Sequence, residues 1–466
     1  MRFFSLLGWT LGISALAANC ASGSASAETM SGALARAYGN NPDINQQRAA
    51  VRAKDEGVPQ AKAGWLPKVS ATGSIGQQFT EFDNNPASIS AVTKQKFRTY
   101  PSTYGATVTQ TLFDGQRTAN TVRQAESSVL AARETMRQTE VTTLQSAATA
   151  YMDVLRDTAV LGLRANNIQV LQVQLKQTQD RFQVGEVTRT DVAQAESSLA
   201  SGRADYAVAQ SSLATSVANF RRYIGVDPKQ LQPAQPIEKL LPHTVELSIQ
   251  AGMEDSPAIV GALHQVDMAL AAVKTAEGAL LPTVGVQGQV LQSNSTSGFP
   301  GYNTYSASVL GQINVPIYQG GAEYAAVRLA KEQLGQMRLA VDSSRIAVRA
   351  AIATSWGQLQ SSKAAIIAFQ AAVKAAEVAL NGVREEAKVG QRTTLDVLNA
   401  QQTLLNTRVQ LVTAQHDRVV FSYAVKAAIG QLTADDLGLG VVAYNPVAHY
   451  DQTKNRFIGL TTPDGR

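Results

Sequence analysis

The chain contains an internal duplication, and this constrains its fold more than any other feature. Three glycines recur with their flanking residues at a constant offset of 205: Gly115 and Gly320, Gly185 and Gly390, Gly225 and Gly430. Upstream, Pro67 recurs at Pro282 with an offset of 215, so the first copy has ten more residues between Pro67 and Gln110 (215 − 205). A repeat of this length predicts two pseudo-equivalent halves that share one architecture.

The first 27 residues have the features of a secretory signal. Arg2 is followed by a short uncharged apolar run and a small-residue cleavage motif that ends at Ala27. The only cysteine is Cys20, and the residues before it fit a lipoprotein signal poorly. We therefore expect cleavage after Ala27 and a mature chain without disulfides or cysteine metal ligands.

Each copy also contains a long segment without proline, Pro101 to Pro228 and Pro316 to Pro446, in which apolar residues recur every seven positions. One such series is Val154, Leu161, Ile168, Leu175 and Phe182. This period predicts helices that supercoil against neighbours. The segment from Gly115 to Gly185 would be on the order of 100 Å long as a helix. We place Gly185 and Gly390 at the tips of two helical hairpins, where the backbone must turn.

Four shorter stretches alternate apolar and polar residues and predict β-strands, two in each copy. Their expected bounds are about 68–80, 102–113, 283–292 and 304–317. Such alternation suits a transmembrane barrel strand, although a soluble sheet with one wet face gives the same pattern. The polar segments Thr80–Tyr100 and Gln292–Thr304 are predicted to be solvent-facing hairpin loops.

Four strands cannot close a barrel by themselves. An open sheet in lipid leaves backbone groups unpaired at its edges, and the smallest barrels need about eight strands. Either several copies of the chain share one barrel, with three copies giving twelve strands and two giving eight, or the sheet is not in a membrane.

The predicted organisation has five parts. They are a signal peptide (1–27), a first repeat (28–226), a proline-rich connector (227–243), a second repeat (244–436) and a C-terminal segment (437–466). The tail beyond Pro446 is polar, and we expect it to be loosely ordered.

No motif predicts catalysis, a cofactor or a metal site. The formal net charge is +5 at pH 7 without charge clusters, which does not suggest nucleic-acid binding. No HExxH, phosphate-binding GxxxxGK[ST] or nucleophile-elbow motif is present. We interpret the four scattered histidines as ordinary surface or packing residues: His243, His264, His416 and His449.

Several motifs resemble the repeat signatures of TolC-type outer-membrane efflux proteins. They are Tyr151–Leu155, Arg181–Gly185 with Thr190–Val192, Val315–Gly321, Val389–Thr393 with Asp396–Leu398, and Ala428–Gly430. The resemblance extends from about Glu28 to Leu437 and includes the duplication. It implies a mainly helical homotrimer with a twelve-stranded barrel in outer-membrane lipid and a long coiled-coil tunnel across the periplasm.

The resemblance also implies a mixed belt partway down the tunnel, with contributions from the connector and the C-terminal segment. Such proteins dock with a periplasmic adaptor (membrane fusion) protein and an inner-membrane transporter of the RND, ABC or MFS type to export drugs or proteins. The duct itself is passive and is not an enzyme.

The family keeps the periplasmic tips closed through polar contacts between neighbouring hairpins. Carried onto this chain, Thr190 and Asp191 on one hairpin and Arg392 on the other form the expected latch. The family's best-known members have a tyrosine in place of Ala387, so one latch contact is missing here.

Acidic side chains ring the constriction in this family. Asp396 matches the first ring acid, whereas Asn399 replaces the second. The expected acidic constriction in a trimer therefore has three carboxylates rather than six. An alternative role for Asp191 and Asp396 is to act as helix N-caps after the turn, and both roles could coexist.

The hairpin tips are expected to contact the adaptor through Val184, Gly185, Val389, Gly390 and Gln391. Two other functions remain open at this point. One is a soluble periplasmic coiled-coil structural or adaptor protein, which should not depend on detergent. The other is a stand-alone porin, which would have no use for helices of roughly 100 Å.

Overall fold

The computed structural model describes residues 28–84, 93–296, 301–463 and 465, so the predicted signal peptide lies outside the described residues. The helices are α1 (Met30–Asn40), α2 (Pro42–Asp55), α3 (Gly57–Lys62), α4 (Arg117–Gln183), α5 (Arg189–Ile224), α6 (Val245–Asp255), α7 (Pro257–Gly278), α8 (Ala322–Lys388), α9 (Thr394–Ile429) and α10 (Pro446–Thr453). The strands are β1 (Lys68–Ile75), β2 (Gln78–Asn84), β3 (Thr93–Thr99), β4 (Ser102–Phe113), β5 (Thr283–Asn294) and β6 (Asn303–Asn314).

The two long helical hairpins confirm the sevenfold pattern. Helices α4 and α8 have 67 residues each, and their partners α5 and α9 have 36 each. At ~1.5 Å per residue the longer helices span about 100 Å. Within the first hairpin Leu171 packs with Leu199, and within the second Leu380 packs with Val397 and Leu404. Each hairpin is therefore held together by an apolar seam. The N-terminal half of α8 extends past the end of the shorter α9, and α8 also packs against α6 and α7.

Four strands form one antiparallel sheet in the order β1-β4-β5-β6. Its register places Val69, Val108, Gly288 and Val309 in one row and Ser70, Thr107, Gln289 and Ser308 in the next. Because successive residues of a strand point to opposite faces, one face is apolar and the other is polar across the whole sheet. Strands β1 and β6 each have a free edge.

The predicted loop Thr80–Tyr100 is wrong in part, because strands β2 and β3 lie within it and pair with each other. The predicted strand 68–80 correspondingly divides in two at Gly76, whose N–H donates to the Pro101 carbonyl (2.9 Å). Pro101 has no N–H to donate to the ladder, so the pairing is interrupted there. This added β2-β3 hairpin explains the ten extra residues of the first copy.

The other predicted strands need smaller corrections. Strand β5 extends to Asn294, and β6 begins at Asn303 and ends at Asn314, just before Pro316. The middle of the predicted loop, 297–300, lies outside the described residues, as does 85–92 in the first repeat.

The largest apolar cluster lies where α1, α4, α5 and α9 meet. Tyr151 is fully buried, and its hydroxyl lies within hydrogen-bond distance of two carbonyl oxygens, those of Glu28 (2.7 Å) and Gln232 (2.8 Å). The single hydroxyl hydrogen is shared between them. The connector and the segment after α9 pack on this cluster through residues such as Ile237 and Leu439. Both segments therefore cover the helices partway along their length.

The tail is not loosely ordered as predicted, because α10 packs against α2. His449 Nδ1 lies 2.9 Å from Asp55 Oδ2, and both side chains are buried. The Arg133 guanidinium lies over the Tyr450 ring at 5.4 Å. The partners of this eight-residue helix are remote in sequence, and local composition cannot reveal them.

Candidate functional site: the hairpin tips

The two hairpin tips have the same backbone construction. Gly185 and Gly390 both have φ of 78°, a conformation that glycine adopts without the steric cost of a Cβ. The next residues, Glu186 and Gln391, donate their N–H groups to the carbonyls five residues earlier, those of Arg181 and Glu386, at 2.9 Å in each case. This arrangement satisfies backbone groups at a helix C-terminus and fixes the turn.

Each returning helix begins with a capping box. Thr188 Oγ1 accepts from Asp191 N (3.3 Å), while Asp191 Oδ2 accepts from Thr188 N (2.9 Å). Thr393 and Asp396 repeat these bonds at 3.2 and 2.9 Å. The N-caps are therefore the threonines, and the two aspartates are the third helical residues, which corrects the N-cap interpretation.

These hydrogen bonds stabilise the ionised carboxylates. Bonds from the Thr188 hydroxyl and N–H lower the pKa of Asp191, and bonds from the Thr393 N–H and hydroxyl lower the pKa of Asp396. Both acids are thus charged at neutral pH. The same chemistry occurs at both tips because Asp191 and Asp396 are repeat equivalents.

An exposed ion pair closes each tip, with the charges reversed between them. In the first hairpin Arg181 Nε donates to Glu186 Oε2 (3.0 Å), and in the second Arg392 Nε donates to Glu386 Oε2 (2.9 Å). Arg181 and Glu386 occupy equivalent positions of the repeat. Sequence reasoning missed Glu386, although its position opposite an arginine in the duplicated alignment is a signal that could have found it.

The structure places the predicted latch residues near the tips but does not join them within one chain. Arg392 and Thr190 are exposed, and Asp191 is half-buried in its capping box. The guanidinium of Arg392 binds Glu386 of its own hairpin. A contact between Arg392 and the Thr190–Asp191 pair would have to form between neighbouring hairpins, and it stays a prediction.

The remaining predicted site residues are also accessible. Asn399 is exposed and Asp396 is half-buried, three residues apart at the start of α9. The five predicted adaptor-contact residues are all exposed: Val184, Gly185, Val389, Gly390 and Gln391.

Apolar packing holds the two hairpins side by side just above the tips. Leu398 of α9 packs with Leu171 and Leu199 of the first hairpin. Ala387 packs against a small apolar cluster of Leu380, Val397 and Leu404 inside the second hairpin, so the residue that replaces the family's tyrosine contributes to apolar packing. The ion pairs at the tips are exposed and weakened by solvent, so the apolar packing above them is the stronger contact between the hairpins.

Within the described ranges, no three His, Cys, Asp or Glu side chains are grouped to hold a metal ion. His416 is buried, with its ring nitrogens 2.9 Å from Asp153 and Asp417 carboxylate oxygens. This histidine links α4 to α9 and has a packing role.

The match to known proteins covers both repeats. The family model described as "Outer membrane efflux protein" matches residues 33–226 and 249–431. The outer membrane efflux protein BepC of Brucella suis biovar 1 is 40% identical over 439 residues, which cover 94% of this chain and 93% of that protein. The outer membrane protein TolC of Escherichia coli K12 is 25% identical, with coverage of 85% and 81%.

The fold also matches a solved outer-membrane channel. The Campylobacter jejuni CmeC channel superposes with a TM-score of 0.75 at 15% identity, covering 91% of this chain and 89% of that one.

Proposed function

Because the chain belongs to the outer membrane efflux protein family, we propose that three copies form a gated exit duct that crosses the outer membrane and extends into the periplasm. The observation that carries this proposal is the four-stranded sheet, with one apolar face, one polar face and two free edges. The apolar face suits lipid and the polar face suits a water-filled lumen. Pairing β6 of one copy with β1 of the next, three times, gives a closed twelve-stranded barrel.

An unpartnered apolar stripe on α8 supports the same assembly. Leu339, Ile346 and Ile367 lie on one heptad line, since they are separated by 7 and 21 residues, and each is at least 70% exposed. One 18-residue window of α8 is apolar enough for a membrane span, but the helix is far longer than a bilayer and pairs with α9. We infer that this stripe packs against the neighbouring copy.

The internal repeat supports a closed ring. Helix α4 packs against α2 of its own repeat and against α7 and α9 of the other repeat, whereas α8 packs against α6, α7 and α9, all from its own repeat. The pseudo-equivalent contact for α8 would be with a first repeat, just as α4 contacts the second repeat. Within one chain α8 lacks this contact, so the first repeat of another copy would have to supply it. Cyclic assembly supplies this contact to every copy.

We propose that the exposed tips dock a periplasmic adaptor and, through it, an inner-membrane transporter that supplies the energy for efflux or type I secretion. In this scheme the chain performs no catalysis and needs no cofactor. We also propose that residues 28–226 and 244–436 act as the two repeats, joined by the connector 227–243 and followed by the C-terminal segment 437–466. Outer-membrane efflux relatives argue against the soluble coiled-coil alternative.

Reconstitution tests the proposal directly. Detergent-solubilised protein should have the mass of three chains, and planar bilayers containing it should show small channels in the closed-tip state. Protein that stays monodisperse without detergent, or a stable monomer with an intact sheet, contradicts the duct.

A further inference from the structure

The C-terminal segment runs alongside α1, α2 and α3 toward the sheet. Three contacts follow one another along both segments: Tyr444 N to the Tyr38 hydroxyl (2.9 Å), His449 Nδ1 to Asp55 Oδ2 (2.9 Å), and Lys62 Nζ to the Lys454 carbonyl (3.1 Å). As the tail advances, its partner moves toward Lys68, where β1 begins. The residues after Lys454 therefore lie at the periplasmic end of the sheet.

This end of the tail is apolar and uncovered. Phe457 is half-exposed, and Ile458 and Leu460 are fully exposed, with values of 93% and 103%. Trp65 and Leu66, which immediately precede β1, are exposed at the same end of the sheet. Aromatic residues at the ends of barrel strands are typical of the membrane–water interface.

We propose that Phe457, Ile458 and Leu460 insert into the periplasmic leaflet of the outer membrane and anchor the C-terminal segment there. The anchor would continue the apolar face of the sheet downward past Trp65. Two cationic side chains precede it: Lys454, which pairs with Asp451 (2.8 Å), and Arg456, which donates to Thr461 Oγ1 (2.9 Å). The guanidinium of Arg456 has further N–H donors, which suit phospholipid headgroups at the surface. This inference rests on the proposed barrel, because only a membrane-embedded sheet brings this end of the tail to a lipid surface.

The contacts that attach the C-terminal segment to α2 and α3 favour insertion of the apolar residues into lipid. The buried His449–Asp55 pair and the two bonds from Lys62 to Lys454 and Asn455 fix where the apolar residues emerge. Little chain entropy is then lost when they enter lipid, since the preceding residues are already ordered. A trimer would carry three such anchors around the base of its barrel.

Site-directed spin labelling of the full-length trimer tests this inference. Because the expected mature chain has no cysteine, the Ile458→Cys variant carries a single nitroxide, and its trimer is reconstituted in phosphatidylethanolamine–phosphatidylglycerol vesicles. Collision rates with oxygen, which concentrates in lipid, are compared with those of a water-soluble nickel chelate. We expect oxygen collisions to dominate at position 458.

Two labelled variants serve as references. Val442→Cys is as exposed (95%) but precedes α10, far from the sheet, and should favour the nickel chelate. Val309→Cys lies on the apolar face of β6 and should favour oxygen.

A label at 458 that collides with nickel as readily as the label at 442 overturns the anchor. A label shielded from both reagents overturns it too, because protein rather than lipid then covers the segment. If the label at 309 favours oxygen while that at 458 does not, only the anchor fails. If both favour nickel, the barrel itself is wrong.

Discussion

At the level of single residues, the tip of α9 depends on one arginine with two possible partners. Arg392 pairs with Glu386 inside its own hairpin, and the family resemblance predicts a second pairing with Asp191 across the hairpins. Both arrangements are exposed to solvent, which screens the charges, so each contact is weak. A duct that must open on demand is served by weak, interchangeable contacts of this kind.

We predict that Arg392→Ser raises single-channel conductance in planar bilayers, because three symmetric copies of the cross-hairpin contact are lost at once. Arg181→Ser is the matched control. It removes the equivalent exposed ion pair, with Glu186, from the other hairpin but no predicted latch residue. Equal conductance in wild type and Arg392→Ser, with the trimer intact, contradicts the latch.

Asp396 is predicted to make the constriction cation-selective. Asp396→Asn should move the reversal potential toward neutrality and reduce block by trivalent cations, whereas Asn399→Asp should strengthen both. Thr393→Val is the control, since it removes half of the capping box but keeps the carboxylate. If Thr393→Val and Asp396→Asn change selectivity equally, helix capping rather than pore charge is responsible.

The pH dependence of this selectivity follows from the direction of the shift. Thr393 lowers the pKa of Asp396 below the usual value of about 3.9, so the charge persists through mild acid. The cap's contribution to stability is present above the unfolded pKa and is lost as the pH falls through the folded pKa. We expect cation selectivity, measured by reversal potential, to be present at neutral pH and to be lost as acid protonates Asp396. Mutual repulsion of the three carboxylates in a trimer opposes the effect of the cap, so Thr393→Val, which loses part of the cap, should lose selectivity at a higher pH than wild type. Identical pH profiles in the two proteins contradict this role of the cap.

The tip residues could be located from the sequence, but their hydrogen bonds and ion pairs could not. Asp396 was identifiable because the motif around it is duplicated, yet its place as third helical residue depends on the turn after Gly390. Glu386 was missed because its pairing with Arg392 exists only once that turn brings residues six apart together.

At the level of elements, α10 is attached by a buried pair rather than by apolar area. Asp55 is fully buried, and burial raises the pKa of its carboxyl despite the His449 partner. Its second oxygen, Oδ1, has no hydrogen-bond partner among the residues that the structure describes. Removal of His449 alone would leave a buried acid without its main compensation.

We therefore predict that His449→Ala weakens the docking of α10 by about 1–3 kcal/mol, the cost of leaving a buried Asp55 oxygen without its hydrogen-bond partner. Hydrogen exchange should show lost protection in 446–453 while α4 remains protected. The double variant Asp55→Leu with His449→Leu should restore most of the protection, because it removes both buried polar partners together. Protection that survives in His449→Ala shows that other contacts hold α10.

Elements with long periodic patterns were predictable, and those with distant partners were not. The hairpins α4-α5 and α8-α9 could be predicted because each has a sevenfold apolar pattern over more than 100 residues. The four strands of the main sheet could be predicted because apolar and polar residues alternate along them. The β2-β3 hairpin and α10 are short and polar, and only tertiary pairing distinguishes them from loops.

At the level of the whole molecule, the proposed assembly predicts that the apolar stripe of α8 lies at the interface between copies. Ile346 lies two residues from buried Val348 and therefore nearly opposite it on the helix. We predict that Ile346→Lys weakens the trimer without unfolding the chain, because it buries an unpaired charge at the interface. Native mass measurement should show monomers, while far-UV circular dichroism stays close to wild type. A fully trimeric variant contradicts the assignment of this stripe to the interface.

The reversed ion pairs at the tips also bear on stoichiometry. In a trimer the six hairpins end in one plane, because α4 and α8 have equal lengths, and their backbones approximate sixfold symmetry. The charges have only threefold symmetry, because Arg181 at three of the tips is replaced by Glu386 at the other three. An adaptor that recognises only tip shape can occupy six positions, whereas one that recognises charge is restricted to three or must bind in two distinct modes.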